Sequence, residues 1–332
     1  MIDAHVHLRD WNQRGEETLT HGFESASMAG FDTVFDMPNT SPAILTEELL
    51  LKRVADARSA DKSMRYRVYL GLTSDPDQIS LACDLSRKYP EHVAGLKMFA
   101  SQSTGNMGIV TEEEQRLVYS VLRRNAYRGV LAVHCEKESF FCSSPDHSLA
   151  RPAESEAASV ADQIEFSSQA NFLGRLHICH ISCAESIKLV RKAKQQGLRI
   201  TCGATGHHSL FNSDQRPYLK MNPPLRSEED RKAVFDALVD GTVDWVESDH
   251  APHSQARIDE GACGIPGFAN SLLLFERLRP IVSRHRLFSL FQGNAEVAFD
   301  LGEVSTVLFD RMYDNTDLGH LADKIGKRYP LT

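Results

Sequence analysis

A chain of 332 residues with 42% hydrophobic and 25% charged side chains has the balance of a globular protein with a sizeable buried core, which excludes disorder as its default state. Its formal net charge of −8 excludes a general binder of nucleic acid or of anionic membrane, so an anionic substrate would have to be met by a few placed cations. No apolar run approaches the ~20 residues of a membrane span, and the N-terminal MIDAHVHLRD has none of the layout of a removable leader.

Short apolar runs alternate with longer amphipathic stretches, the signature of βα units. In chain order, strands are expected over 2–7, 32–36, 66–70, 94–99, 130–134, 176–181, 199–204 and 243–248. Most are rich in Val, Ile and Leu without clean alternation, as in a parallel sheet covered on both faces. Helices are expected over 46–60, 111–125, 154–170, 184–196 and 227–240. Thr111 with Glu114, and Ser227 with Asp230, read as helix-start boxes, while Gly197 and Gly241 read as left-handed helix ends. Eight units in one chain imply a TIM-type (β/α)8 barrel over 1–301, with 302–332 as a C-terminal tail packed on it. The scattered cysteines (Cys83, Cys135, Cys142, Cys179, Cys183, Cys202 and Cys263) read as reduced thiols of a cytoplasmic protein.

The chemistry collects at the expected strand ends. In His5-Val6-His7, residues i and i+2 of a strand point the same way, so both imidazoles can reach one ion. The placement recurs: Lys97 lies in the apolar run Ala94–Phe99, His134 and His180 end their runs, and Asp249 follows the run 243–248. Each would be a costly buried polar group if unpaired. Together they read as a two-metal site, with His5, His7 and Asp249 on one ion and His134 and His180 on the other. A protonated Lys97 beside two cations would be repelled, and burial favours the neutral amine. A neutral amine can take up carbon dioxide as a carbamate whose oxygens bridge the ions; the alternative is a lysine that snorkels to the surface. Two bridged ions bring a shared water towards neutrality in pKa and polarise a carbonyl, with Asp249 as both ligand and proton carrier. That chemistry is hydrolysis of a carbonyl compound, such as a cyclic amide.

The ordered set His5-Val6-His7-Leu8-Arg9, Met37-Pro38-Asn39-Thr40, Gly95-Leu96-Lys97, Val133-His134-Cys135-Glu136, His177-Ile178-Cys179-His180, Asn222-Pro223-Pro224-Leu225-Arg226, Ser248-Asp249-His250-Ala251-Pro252-His253 and Gly264-Ile265-Pro266-Gly267 resembles the dihydroorotases of the amidohydrolase superfamily. The resemblance implies two zinc ions bridged by carboxylated Lys97, with His5, His7, His134, His180 and Asp249 as the other ligands. It implies reversible cyclisation of N-carbamoyl-L-aspartate to L-dihydroorotate by a zinc-bound hydroxide, with Asp249 as general acid and base. Arg9 would bind the substrate carboxylate, for which a guanidinium fork is suited. Asn39 would assist it, although turn chemistry in Pro-Asn-Thr explains that residue equally. Asn222, His253, Pro266 and Gly267 would line the substrate pocket. The stretch 101–108, SQSTGNMG, lies where the family has a mobile loop, though an ordinary surface loop has the same composition.

Two features depart from the family pattern. Longer relatives carry a flanking β-sandwich, which is not expected here because only four residues precede His5. A Glu common after the seventh strand's Thr-Cys is Gly203, so a third zinc near Cys179 is not expected, and His207-His208 read as structural rather than as ligands. A small-molecule substrate is expected, and neither a nucleic acid nor a membrane; a homodimer and association with aspartate transcarbamoylase stay open. The alternatives are another cyclic amidohydrolase (allantoinase, hydantoinase or dihydropyrimidinase), or an inactive homologue serving as an assembly partner.

Overall fold

The computed structural model describes residues 1–102, 107–302 and 304–329. All eight expected strands form: β1 (Ile2–Val6), β2 (Thr33–Asp36), β3 (Arg65–Gly71), β4 (Val93–Phe99), β5 (Val130–His134), β6 (Arg175–Ile178), β7 (Ile200–Ala204) and β8 (Trp245–Val246). They pair in parallel in sequence order, with helices between them, and no further sheet occurs among the described residues. This is the TIM-type barrel architecture.

β8 is two residues long, against the six expected, because the end of the barrel seam is closed differently. Asp3 Oδ1 replaces a ladder carbonyl, accepting from the N–H groups of both His5 (3.2 Å) and Ser248 (3.1 Å). Two backbone bonds then join the strand ends: Asp249 N to His5 O at 3.0 Å and His7 N to His250 O at 2.7 Å. A site residue therefore stands in the closure of the barrel.

Alternate strand residues separate into two apolar clusters. Val34, Val68, Leu70, Leu96, Met98, Leu131 and Val133 pack in the layer shared with the helices. Phe35, Tyr69, Val130, Ala132 and Trp245 belong to the second cluster, inside the barrel, where Phe299 packs on Phe35, Trp245 and Tyr69. That cluster plugs the N-terminal ends of the strands. Lys97, which pairs with Ala132 in register, and His134, two residues beyond Ala132, share its parity and so look into the barrel at the opposite end.

The expected helices form within a residue or two of their boundaries. Thr111 and Glu114 make the full reciprocal box at the start of Glu112–Arg124. Ser227 accepts from Asp230 N, but the shorter Asp230 side chain meets the Ser227 hydroxyl (2.7 Å) instead of reaching back to the backbone. Gly197 and Gly241 have φ of 80° and 94°, the left-handed conformation that ends a helix. Beyond β8, the helix Leu318–Gly326 packs on the helices Phe268–Leu278 and Leu19–Met28. All seven cysteines are free thiols. No helix among the described residues is long and apolar enough to cross a membrane.

Candidate metal centre

The six residues read from the sequence as ligands meet at one place. His5, His7, Lys97, His134, His180 and Asp249 line a single cavity at the C-terminal ends of the strands, together with Arg9, Asn39 and Asn222. Asp249 Oδ1 lies 3.1 Å from His7 Nε2 and 3.4 Å from His5 Nε2, so three donor atoms converge as ligands of one ion would. Beside them, His134 Nδ1 and His180 Nε2 stand 3.2 Å apart. The His5 and His180 rings, 5.1 Å between centroids, join the two groups. Lys97 is fully buried, with Nζ 3.2 Å from Cys179 Sγ. Imidazole nitrogens, a carboxylate and a buried amine in one cavity are a donor set that fits a pair of divalent ions such as zinc.

Polar groups behind the imidazoles set which nitrogen faces inward. His7 Nδ1 is 2.7 Å from Asn39 Oδ1, which leaves Nε2 for a metal. His134 Nε2 is 2.9 Å from Glu136, which is clamped in turn by Arg151 at 2.5 and 3.1 Å, leaving Nδ1 inward. Glu247 accepts from the His180 backbone N–H, lies 3.2 Å from His177 Nε2 and stands 3.7 Å from His5 Nδ1. Carboxylates and amide oxygens in such positions fix the tautomer and aim of metal-binding histidines.

Backbone and electrostatics both carry the mark of a worked site. His180 and Asp249 have φ of 35° and 47°, a left-handed conformation that costs a non-glycine residue on the order of 1–3 kcal/mol. Burial holds His5 down at about 4 and His180 well below the ordinary imidazole value, so both present neutral, metal-competent rings. Burial alone would raise the Asp249 carboxyl, but the hydrogen bond with His7 and the nearby His5, His7 and His207 outweigh it and hold it below the usual carboxylate range.

The residues expected to meet substrate divide. Arg9 is buried in the cavity wall, with Nε donating to Pro252 O (3.1 Å) and Nη2 3.2 Å from His253 Nε2. Burial and the Arg9 charge hold His253 neutral, at about 4. Asn39 lines the cavity while also bracing His7, a role neither sequence reading included. Asn222 lines it with Oδ1 3.0 Å from His147 Nε2. Pro266 instead lines a separate cavity of about 560 Å³ between the Phe268–Leu278 and Leu318–Gly326 helices, and the Gly267 N–H is donated to His250 Nδ1 at 3.2 Å. In the loop 101–108, residues 103–106 lie outside the described residues. His208 bridges Thr205 Oγ1 and Pro223 O at 2.8 and 3.0 Å, a structural tie.

Sequence reasoning passed over Glu247, Arg151, Asp3 and the pair Asp36–Arg53. Glu247 had a signal: it is an acid in an apolar run, two residues before Asp249 and therefore on the same side of the strand. Arg151 and Arg53 had none, because each reaches its carboxylate from a distant element.

No family model matches the chain. Among curated proteins it is similar to the dihydroorotase of Lactobacillus acidophilus, with 30% identity over 305 residues, covering 88% of this chain and 69% of that one. It is similar to the dihydroorotase of Lactobacillus johnsonii, with 30% identity over 320 residues, covering 91% and 73%. Among solved structures, an L-hydantoinase (dihydropyrimidinase) from Arthrobacter aurescens has a TM-score of 0.79 at 20% identity over 91% of this chain and 71% of that one. A Saccharomyces cerevisiae dihydroorotase in complex with 5-fluoroorotic acid has a TM-score of 0.73 at 18% identity, covering 92% and 85%. At such identities the two structures speak to the fold alone.

Proposed function

The chain belongs to the dihydroorotase family, and from that premise we propose that it interconverts L-dihydroorotate and N-carbamoyl-L-aspartate in pyrimidine synthesis. The observation that carries this reading is Arg9: a buried guanidinium in the wall of the cavity that also holds His5, His7, Lys97, His134, His180 and Asp249. A buried cation there suits a ring that bears a carboxylate, and a hydantoin or dihydrouracil ring has none to offer.

Zinc ions held by His5, His7 and Asp249 and by His134 and His180, with carboxylated Lys97 between them, would supply an activated water and polarise the ring carbonyl. The residues do the rest. Arg9 takes the substrate carboxylate, with Asn39 and Asn222 beside it and His253 held neutral against the guanidinium. Asp249, ionised at neutral pH, accepts the proton of the attacking water and passes it to the ring nitrogen as the C–N bond breaks. In the closing direction it removes the proton from the carbamoyl nitrogen, which attacks the carboxyl carbon; that proton and one from solvent go to the departing carboxylate oxygen, so the C–O bond breaks with loss of water. Pro252 and Glu136 act from behind, the first fixing the Arg9 side chain and the second aiming His134.

The test is selectivity. Zinc-loaded protein is given L-dihydroorotate, hydantoin and dihydrouracil in parallel and ring opening is followed by ultraviolet absorbance. Turnover confined to dihydroorotate is the expected result. Preference for either uncharged ring would move the activity to a hydantoinase and remove Arg9 from its role.

A further inference from the structure

Glu247 is a carboxylate beside the metal centre that the reaction above leaves unused. It is buried, it comes from the strand that delivers Asp249, and it touches groups from two other strands: His177 and the His180 N–H of the β6 segment, and the β1 imidazole of His5 at 3.7 Å. It occupies space that belongs to a neighbour. A Cβ built on Gly203 of β7 falls 2.5 and 2.6 Å from its two carboxylate oxygens, closer than real Cβ contacts come. The absence of a side chain at 203 and the carboxylate at 247 are thus one arrangement, in which the acid enters the barrel from β8 through a gap left in β7.

We infer that Glu247 is a positioning residue for the metal centre, aiming His5 and fixing the His180 backbone from behind, and that Gly203 exists to admit it. The inference rests on the binuclear reading above. His5 Nε2 faces Asp249, while its buried Nδ1 makes no hydrogen bond and has the Glu247 carboxylate 3.7 Å away, which places Glu247 to select the His5 tautomer once the ring is drawn onto a metal. Asn39 does the same for His7, and Glu136 for His134. Three of the four inward-facing imidazoles, those of His5, His7 and His134, therefore have an oxygen of their own behind them, each from a different strand end, and His180 is held through its backbone N–H instead.

The test is zinc affinity, read by competition with a chromophoric chelator, together with folding by circular dichroism. Glu247→Ala is expected to fold and to weaken zinc binding by roughly 10–100-fold. Because residue 203 can supply the same space, the double variant Gly203→Glu with Glu247→Ala is expected to recover most of that affinity, whereas Gly203→Leu with Glu247→Ala, which refills the space without a carboxylate, is expected not to; equal recovery by both would make the role of Glu247 merely structural and overturn the inference. Should Glu247→Ala not fold, Glu247→Gln, which keeps the shape and loses the charge, is expected to show the weakening on its own. Wild-type affinity in folded Glu247→Ala overturns the inference. So does loss of one whole zinc equivalent with the remainder bound as tightly as before, since Glu247 would then be a ligand itself. A wild-type protein that takes up no zinc overturns the binuclear reading and this inference with it.

Discussion

Leu8 sits between His7 and Arg9, and its backbone is held by a buried ion pair at no part of the reaction. Asp36 Oδ1 accepts from the Leu8 N–H at 2.9 Å, and Arg53, bound to Asp36 at 2.6 Å, donates to the Leu8 carbonyl. Both partners of the pair are fully buried, and Tyr66 OH donates to the same carboxylate at 2.7 Å. Removing one partner leaves the other charge uncompensated. Arg53→Met is therefore expected to lower stability by about 3–5 kcal/mol, measured by urea unfolding, because Asp36 remains buried without its cation. Arg9 tests function at the same scale. Arg9→Lys keeps the charge and loses the planar fork, so the KM for dihydroorotate should rise about tenfold or more while zinc content stays at the wild-type value. An unchanged KM would show that the substrate carboxylate does not reach this residue. The ligands were legible in the sequence because each interrupts an apolar run near its end, whereas Arg53 was not. It looks like an ordinary polar position in an amphipathic stretch, and only the approach of the 47–60 helix to β2 reveals its partner.

At the scale of the element, periodicity and capping chemistry carried the reading. Strands buried on both faces are apolar throughout, and helices announce their starts with Thr111 and Ser227, so all eight strands and five of the longer helices were placed from local pattern, whereas Leu19–Met28, Pro76–Lys88 and Phe268–Leu278 were not. What could not be read is how the seam closes. The expected strand over 243–248 pairs as only Trp245–Val246 because Asp3, a side chain from the first strand, takes the place of a ladder carbonyl. The left-handed φ of His180 and Asp249 is equally unannounced locally: Asp and His are among the side chains that tolerate it, but most such residues do not adopt it, and nothing in either local sequence marks these two. Thr111 gives a control far from the chemistry. Thr111→Ala removes the box at the start of Glu112–Arg124 and should cost about 1 kcal/mol in thermal or chemical unfolding, with dihydroorotate turnover unchanged. A change in turnover would mean that this helix communicates with the site.

Across the whole molecule, the tail and the first loop meet beside the centre. Tyr329 OH donates to Glu17 Oε1 at 2.9 Å, and Glu17 holds His250 Nε2 at 3.2 Å, next to Asp249 in the chain. Burial alone would raise the Glu17 carboxyl, but His250, His21 and Tyr329 bring it down to about 2, below its ordinary 4.5. A carboxyl depressed in the folded state contributes stability that is complete above about 4.5 and is lost as pH falls towards about 2. In the presence of chelator, Glu17→Gln is thus expected to be less stable than wild type at neutral pH and to show a shallower decline over that acid range. Parallel acid limbs for the two proteins would remove Glu17 from the linkage. Long contacts of this kind, more than 300 residues apart in sequence, leave no local trace, which is why the tail's attachment was expected only in outline.

The proposed carbamate on Lys97 is the link that would tie the two groups of ligands into one centre, and it is measured most directly by zinc content together with the 13C NMR spectrum of protein loaded with zinc under 13C-labelled carbon dioxide. The expected result is two zinc ions per chain and a carbamate carbon in the wild type, with the carbamate signal absent and the zinc content reduced in Lys97→Ala. A wild-type protein that holds two zinc ions and turns over dihydroorotate with no carbamate carbon would contradict it.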